Sequence, residues 1–299
     1  MKKQKRALLK IPFIRFFYIL LLIGYVNPSL ASESENSDLV MYTAGIPEDI
    51  YTIEILHGWR EVNNGIEVHN VGIDIKLVEG WKTYWRKTGN TGVPLTITWL
   101  DKDNFQDYEI HWPNPSIVEM AGEQSIGYTD RVVFPLQIKP EEPGTPISGS
   151  GTIFMGVCKD VCIPVFEEIS IDLLPSSEMH WPVLHNALMS KPKVLASATN
   201  QDEIDCKINY ETDPPMISTS ISTSLLNPDK PFLAIYESTS DPVFFYKPRE
   251  ILENREFSII YSDFEFLEDI TQKLDTSKIL LTILTDNQTY EIQGCWQSH

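Results

Sequence analysis

The chain has 299 residues, of which 42% are hydrophobic and 11% aromatic, and its formal net charge is −18 at pH 7. This length favours two well-packed globular domains. The negative charge argues against nucleic-acid and anionic lipid partners, because their phosphates would repel the protein.

The first 31 residues have the three parts of a secretory signal. Six Lys and Arg residues between positions 2 and 15 precede an apolar run of 11 residues, 16–26, and small residues follow up to Ala31. We therefore expect a signal peptide over 1–31, cleaved after about Ala31, and a soluble periplasmic protein without stable membrane insertion. The alternative, a transmembrane anchor, would need roughly 20 apolar residues.

Short segments after the leader alternate between apolar and polar residues, which is typical of half-buried β-strands. The clearest of these segments are 71–77, 95–99, 132–138 and 169–173. Segments rich in Gly and Pro separate them, at 87–94, 112–115 and 140–146. Many short strands separated by such Gly- and Pro-rich segments predict an all-β fold of the sandwich type over 32–176.

The pattern changes after Pro175. Apolar residues between 179 and 189 have the spacing of one short amphipathic helix, and the polar stretch 197–205 reads as a linker. Strand-like segments then return at 232–236, 243–246, 257–261, 279–284 and 290–296. We predict a helix and linker over 177–205 and a second, smaller β-domain over 206–299.

The four cysteines are Cys158, Cys162, Cys206 and Cys295. Disulfides persist in exported proteins, and four cysteines allow three pairings. A bridge from Cys206 to Cys295 would close a loop of about 90 residues and restrict the unfolded chain by roughly 4.6 kcal/mol, whereas one from Cys158 to Cys162 would contribute only about 2 kcal/mol. The long bridge therefore suits a structural role, and the short bridge suits a chemical one.

The residues around Cys158 and Cys162 favour a tight turn at the end of a strand. An apolar strand runs into Cys158, and Pro164 follows soon after Cys162. Two sulfurs held in such a turn are able to cycle between dithiol and disulfide. Lys159 would favour a thiolate and Asp160 would oppose it, so their effects on the cysteine pKa values compete. An inert disulfide that only stiffens the turn is the alternative.

Four groups of residues occur in the order found in the N-terminal periplasmic domain of the DsbD/ScsB thiol:disulfide interchange family. They are Gly-Trp-Lys-Thr-Tyr-Trp-Arg at 80–86, Trp-Pro-Asn-Pro at 112–115, Gly-Tyr at 127–128 with Val-Val-Phe-Pro-Leu at 132–136, and the cysteine turn at 156–164. The chain resembles in particular the ScsB-type (suppressor of copper sensitivity) branch. The resemblance covers residues 40–175 strongly, and 180–299 resemble the second part of the ScsB-type periplasmic region.

The resemblance implies an immunoglobulin-like fold and a thiol–disulfide oxidoreductase that relays reducing equivalents to oxidised periplasmic thiol proteins. It implies that Cys162 forms the mixed disulfide with a partner and that Cys158 resolves it. The chain contains neither a membrane transducer nor a thioredoxin-type C-x-x-C, so we expect separate proteins to supply both. Thioredoxin-like proteins and a membrane electron transducer are thus the expected partners, and no cofactor is expected.

The family shields its sulfurs with a loop, and its equivalent here is 118–122. The resemblance implies that Met120 takes the place of the shielding aromatic residue and that Glu119 matches an acidic neighbour. The family has a second acid beside this one, and the two are associated with proton handling. Val118 stands at the position of that second acid, so one of the two acidic groups is absent here. Tyr84 and Tyr128 are further candidates for lining the site.

Two other functions remain open on the sequence. The first is a non-catalytic immunoglobulin-like scaffold with structural disulfides. The second is copper handling, because thiolates and thioethers suit Cu(I), Met120 and Met155 are expected to lie near the cysteines in the fold, and ScsB-type relatives are linked to copper tolerance. The six histidines form no H-x-H or H-E-x-x-H pattern, so no zinc-type metal site is expected.

Overall fold

The computed structural model describes residues 49–88, 92–120, 123–176, 181–195, 204–222, 232–240, 243–246, 248–252, 257–267, 273–285 and 288–294. The predicted signal peptide lies outside the described residues. Within the described ranges, a helix that could span a lipid bilayer is absent.

Ten strands lie in the described residues up to 176, and together they form the N-terminal sandwich. They are β1 (Tyr51–Asn63), β2 (Ile66–Leu77), β3 (Lys82–Tyr84), β4 (Thr96–Asp103), β5 (Asp107–Ile110), β6 (Ser116–Met120), β7 (Glu123–Thr129), β8 (Arg131–Lys139), β9 (Ile147–Cys158) and β10 (Cys162–Leu173).

Two antiparallel sheets make the layers of this sandwich. One sheet has the strand order β1-β2-β8-β5, and the other has the order β10-β9-β3-β7-β6, with β4 also pairing with β9. Alternate side chains of both sheets fill the space between them, as period-two patterning requires. The largest fully buried side chain is Trp85, which follows β3.

The helix α1 (Trp181–Met189) packs on β8, β1 and β2 of the first sheet. Its Leu184 is fully buried against Leu56 and Val133. A glycine in β2 makes room for this contact, because a Cβ atom at Gly72 would lie 3.1 Å from a methyl carbon of Leu184. The predicted helix is therefore present.

The remaining strands form the C-terminal sheets. They are β11 (Lys193–Leu195), β12 (Ile204–Asn209), β13 (Met216–Ser222), β14 (Leu233–Ser238), β15 (Val243–Phe245), β16 (Arg249–Leu252), β17 (Phe257–Phe266), β18 (Ile279–Leu284) and β19 (Thr289–Gln293), with a 3-10 helix (Thr276–Lys278) before β18. One sheet has the order β11-β19-β18-β14, and the other has the order β12-β13-β17-β15, with β16 on β17.

These sheets confirm the predicted fold class, an all-β immunoglobulin-like sandwich followed by a short helix and further β-structure. The C-terminal sheets have their own core, and they also contribute Leu284 to the core of the N-terminal sandwich. The boundaries of the three predicted parts remain predictions.

Some local expectations differ from the structure. β12 begins at Ile204, inside the segment 197–205 that was predicted as a linker. The short alternating run of β12 forms a strand because it pairs with β13. The polar residues that precede it in sequence do not indicate this pairing. Cys206 is buried in the C-terminal core, but Cys295 lies outside the described residues, so the predicted Cys206–Cys295 bridge remains a prediction.

Candidate active site

The two cysteines lie at the closed end of a β-hairpin. β9 ends at Cys158 and β10 begins at Cys162, and the two residues are directly opposite one another in the antiparallel register. Within the turn, the amide of Lys159 donates to the carbonyl oxygen of Val161 at 3.1 Å. The Cα atoms of the cysteines are 4.1 Å apart, and their sulfurs form a disulfide. The short bridge therefore forms in a tight turn at a strand end, as the sequence predicts.

The two cysteines differ in their exposure to solvent. Val157 points into the core, so its neighbour Cys158 points to the outer face of the sheet. Cys158 is nevertheless only 1% exposed, whereas Cys162 is exposed and the adjacent Val161 is 56% exposed. Cys162 is therefore the more accessible of the two bonded cysteines, and Cys158 is covered.

Tyr84 contacts both sulfur atoms. Its hydroxyl oxygen lies 3.2 Å from Sγ of Cys158 and 3.2 Å from Sγ of Cys162. A disulfide sulfur carries no proton, so the tyrosine O–H is the donor in both contacts. Tyr84 is 2% exposed, and this burial raises the pKa of its hydroxyl.

The backbone around Tyr84 holds its ring in place. Tyr84 is the last residue of β3, which lies between β9 and β7. A Cβ atom at Gly156 would lie 3.1 Å from Cε2 of the ring, and one at Gly92 would collide with its other edge. Gly92 has a φ of +130°, a conformation that favours glycine. Two glycines thus leave the space that the tyrosine ring occupies.

Val118 covers the buried cysteine. It lies in β6, is 7% exposed, and forms a buried cluster with Tyr84 and Cys158. The site therefore has an apolar side chain where the family resemblance implies an acid. Glu119 is exposed, and it lies on the opposite face of β6 from Val118 because successive side chains alternate along a strand.

Met120 ends β6, and residues 121–122 of the candidate cap lie outside the described residues, as does the side chain of Met120. Shielding of the sulfurs by Met120 therefore remains a prediction. The structure brings Tyr84 to the disulfide and packs Val118 against Cys158.

The structure does not bring Tyr128 to the sulfur atoms. Tyr128 pairs with Thr83, whose side chain points to the other face of β3 from that of Tyr84. Its hydroxyl donates to the carbonyl oxygen of Pro113 at 2.9 Å, and its ring packs edge-to-face on Phe134 in the core. Burial raises the pKa of this hydroxyl well above its ordinary value.

Two lysines lie beside the cysteine turn. Lys82 is opposite Cys158 in the register of β3 and β9. Lys159 is exposed and folds over Gly80, where a Cβ atom would lie 3.0 Å from the Cε atom of the lysine. Positive charge near a thiol favours the thiolate. Sequence reasoning did not assign a role to Lys82, although it belongs to the motif at 80–86.

The described residues include no group of three or more His, Cys, Asp or Glu side chains arranged to hold a metal ion. Met155 is fully buried, and it lies on the inner face of β9 whereas Cys158 lies on the outer face. Its sulfur is 3.9 Å from the hydroxyl of Thr83. Met155 therefore packs in the core instead of joining the cysteine sulfurs.

Comparisons with known proteins point to one family. Residues 61–173 match the family model described as thiol:disulfide interchange protein DsbD, N-terminal. The chain is similar to the crystal structure of the N-terminal periplasmic domain of ScsB from Proteus mirabilis, with a TM-score of 0.58 and 18% identity over 84% of this chain and 95% of that one.

The N-terminal domain of DsbD from Neisseria meningitidis, in its reduced form, aligns with a TM-score of 0.28 and 14% identity over 46% of this chain and 93% of that one. No curated protein matches the chain at a significant level. The likeness to ScsB supports the shared fold, and the family match spans the strands that carry Cys158 and Cys162. Residues 61–173, which include Cys158 and Cys162, are therefore similar in sequence to the N-terminal domain of DsbD, and the chain shares the fold of the ScsB domain.

Proposed function

We propose that this protein exchanges disulfides with other thiol proteins in the periplasm, through Cys162 as the reacting cysteine and Cys158 as the resolving cysteine. The unequal exposure of the two bonded cysteines carries this proposal, because it makes one residue of the bond accessible to a partner and keeps the other covered. The family match and the leader pattern support the same reaction class and the periplasmic location.

In the reducing direction, the Cys162 thiolate attacks the disulfide of an oxidised partner. One sulfur of the partner leaves as a thiolate, and a mixed disulfide forms between Cys162 and the partner. The Cys158 thiolate then attacks Sγ of Cys162 and expels the partner's second sulfur. The partner has gained two electrons, its two sulfurs take up protons, and Cys158–Cys162 is again a disulfide.

A donor must then reduce the pair. A thioredoxin-like protein suits this step, because its thiolate would attack the exposed Cys162 and release Cys158. We propose that a separate membrane transducer supplies this donor with electrons. The protein would thereby relay reducing equivalents between a membrane-linked source and oxidised periplasmic thiol proteins.

The test uses single-cysteine reactivity with a defined partner. The probe is a thioredoxin-fold protein that keeps only its exposed cysteine, loaded with thionitrobenzoate as a mixed disulfide. Attack by a cysteine of this protein releases the coloured thionitrobenzoate and links the two proteins covalently. We expect Cys158→Ser, which keeps Cys162, to react about tenfold or more faster than Cys162→Ser, because access and thiolate character set the rate.

The double variant Cys158→Ser/Cys162→Ser measures any release that depends on other cysteines. A linked complex that forms only when Cys162 is present would support the proposed roles. Rates for both single variants that equal the rate of the double variant would refute the proposed exchange, and a faster Cys162→Ser protein would reverse the two assignments.

A further inference from the structure

The proposed exchange has an electrostatic difficulty at Cys158. When a thiolate attacks Cys162, the electron pair of the broken bond leaves on the sulfur of Cys158. That residue is 1% exposed and packs against Val118, so water has little access to stabilise the charge. Burial in apolar surroundings raises a thiol pKa, and a poorer leaving thiolate slows the exchange.

The hydroxyl of Tyr84 is a hydrogen-bond donor already directed at this sulfur. The distances of 3.2 Å to both sulfurs place the O–H between the atom that is attacked and the atom that leaves. Within the described residues, the hydrogen bonds of this hydroxyl are only to the two sulfurs. A small rotation of the O–H is therefore enough to follow the negative charge from one sulfur to the other.

The donor is held rigidly, which is what a preorganised site requires. The strand that carries Tyr84 is fixed on both sides, since the hydroxyl of Thr83 donates to the carbonyl oxygen of Gly156 at 2.9 Å and the amide of Trp85 donates to the carbonyl oxygen of Ile126 at 3.0 Å. The ring has no free space at Gly156. Little reorganisation is needed when charge appears on the sulfur.

We propose that Tyr84 is a catalytic residue of the exchange, whose hydroxyl stabilises the thiolate of Cys158 as it leaves and the thiolate of Cys162 when it attacks. The tyrosine keeps its proton throughout, so no proton or electron is transferred to it. The incoming thiolate forms its bond to Cys162 while the bond between Cys162 and Cys158 breaks, and the O–H of Tyr84 shortens its contact to the departing sulfur. This inference rests on the proposed function.

Tyr84→Phe tests the role, because it removes the hydroxyl and keeps the ring between its glycine neighbours. Hydrogen bonds to charged groups are the strong ones. We therefore expect reduction of the disulfide by dithiothreitol to be about tenfold or more slower in Tyr84→Phe than in the wild type. The ultraviolet absorbance of the thiolate should report a higher pKa for the more acidic cysteine of the reduced variant.

Tyr128→Phe is the matched control, since it removes a buried tyrosine hydroxyl that bonds to Pro113 and does not contact sulfur. It should lower the stability without changing the thiolate pKa or the reduction rate. A Tyr84→Phe protein that is folded and reacts at the wild-type rate with an unchanged thiolate pKa would overturn the role of Tyr84 alone. A wild-type disulfide that no thiol reduces in the folded protein would overturn the proposed function as well.

A second measurement uses the wild-type protein and needs no variant to fold. In the reduced protein, isotope-labelled at Cζ of tyrosine, the resonance of Tyr84 should shift with the same pH midpoint as the thiolate absorbance, and that of Tyr128 should not. A Tyr84 resonance that stays constant through this midpoint would contradict a hydrogen bond to the thiolate.

Discussion

Val118 makes the surroundings of Cys158 apolar, because its side chain has no ionisable group. Val118 excludes water from the buried sulfur and packs on the ring of Tyr84. The neutral hydroxyl of Tyr84 is thus the polar group nearest to both sulfurs among the described contacts. In the proposed reaction, thiolate stabilisation therefore depends on a hydrogen bond and does not require a neighbouring carboxylate.

A second residue with an unusual environment is His69 in β2. It is fully buried, and its Nδ1 accepts a hydrogen bond from Nε of Arg60 at 3.1 Å. The same arginine forms an ion pair with Glu67. Burial, and then the charge of Arg60, lower the pKa of His69 from 6.5 to about 4. The folded protein therefore holds this imidazole neutral.

This shift predicts a pH dependence of stability. Between pH 6.5 and about 4 the unfolded chain binds a proton at His69 that the folded protein does not bind. The contribution of His69 is therefore complete above pH 6.5 and is lost as the pH falls towards 4, by about 3 kcal/mol in total. Denaturant unfolding from neutral pH downwards should show a flatter profile for His69→Gln than for the wild type.

Glu67 stays in both proteins, so the difference between the two profiles isolates the histidine. Parallel profiles for wild type and His69→Gln would show that the buried imidazole is not responsible for the acid sensitivity.

Among the strands of the N-terminal sandwich, several that were predicted from sequence alternate continuously between apolar and polar residues. The segment 71–77 lies in β2, 132–138 lies in β8 and 169–173 lies in β10. β3 has three residues, and its Thr83 is a buried polar residue, so the alternation rule does not identify it. Its pairing with β7 and β9, which are distant in sequence, defines this strand.

The candidate site was predictable where its residues are close together in sequence, and it was not predictable where they are distant. The cysteine turn could be predicted because Cys158 and Cys162 are local in sequence and share one hairpin. The contact between Tyr84 and Cys158 joins residues 74 positions apart, and only the sheet order β9-β3-β7 brings them together. The different environments of Tyr84 and Tyr128 follow from the direction of each side chain, which depends on register and not on residue type.

On the scale of the whole molecule, residues of the C-terminal sheets complete the N-terminal sandwich. Residues 46–299 form one compact unit, and Leu284 of β18 is buried in the core of the sandwich. Arg86, two residues after Tyr84, forms ion pairs with Glu237 of β14 at 2.9 Å and with Glu291 of β19 at 2.8 Å. The chain that carries Tyr84 is therefore tied directly to the C-terminal sheets.

This arrangement predicts unequal effects for two arginine substitutions. Arg86→Ala leaves two mostly buried carboxylates without their shared partner, so it should lower the free energy of unfolding by about 3 kcal/mol. The control, Arg249→Ala, removes an arginine whose side chain is 55% exposed and pairs with Asp263, and it should cost about 1 kcal/mol or less. Denaturant unfolding measures both values, and equal losses would contradict a stabilising contact at Arg86.

The central claim is that the bond between Cys158 and Cys162 opens and closes in the folded protein. Equilibration with redox buffers of graded potential, followed by alkylation and mass measurement, counts the thiols at each potential. We predict that this pair is reduced reversibly at a potential above about −300 mV, while the predicted Cys206–Cys295 bridge stays oxidised. A Cys158–Cys162 bond that resists reduction at that potential, or that opens only when the protein unfolds, would contradict the account.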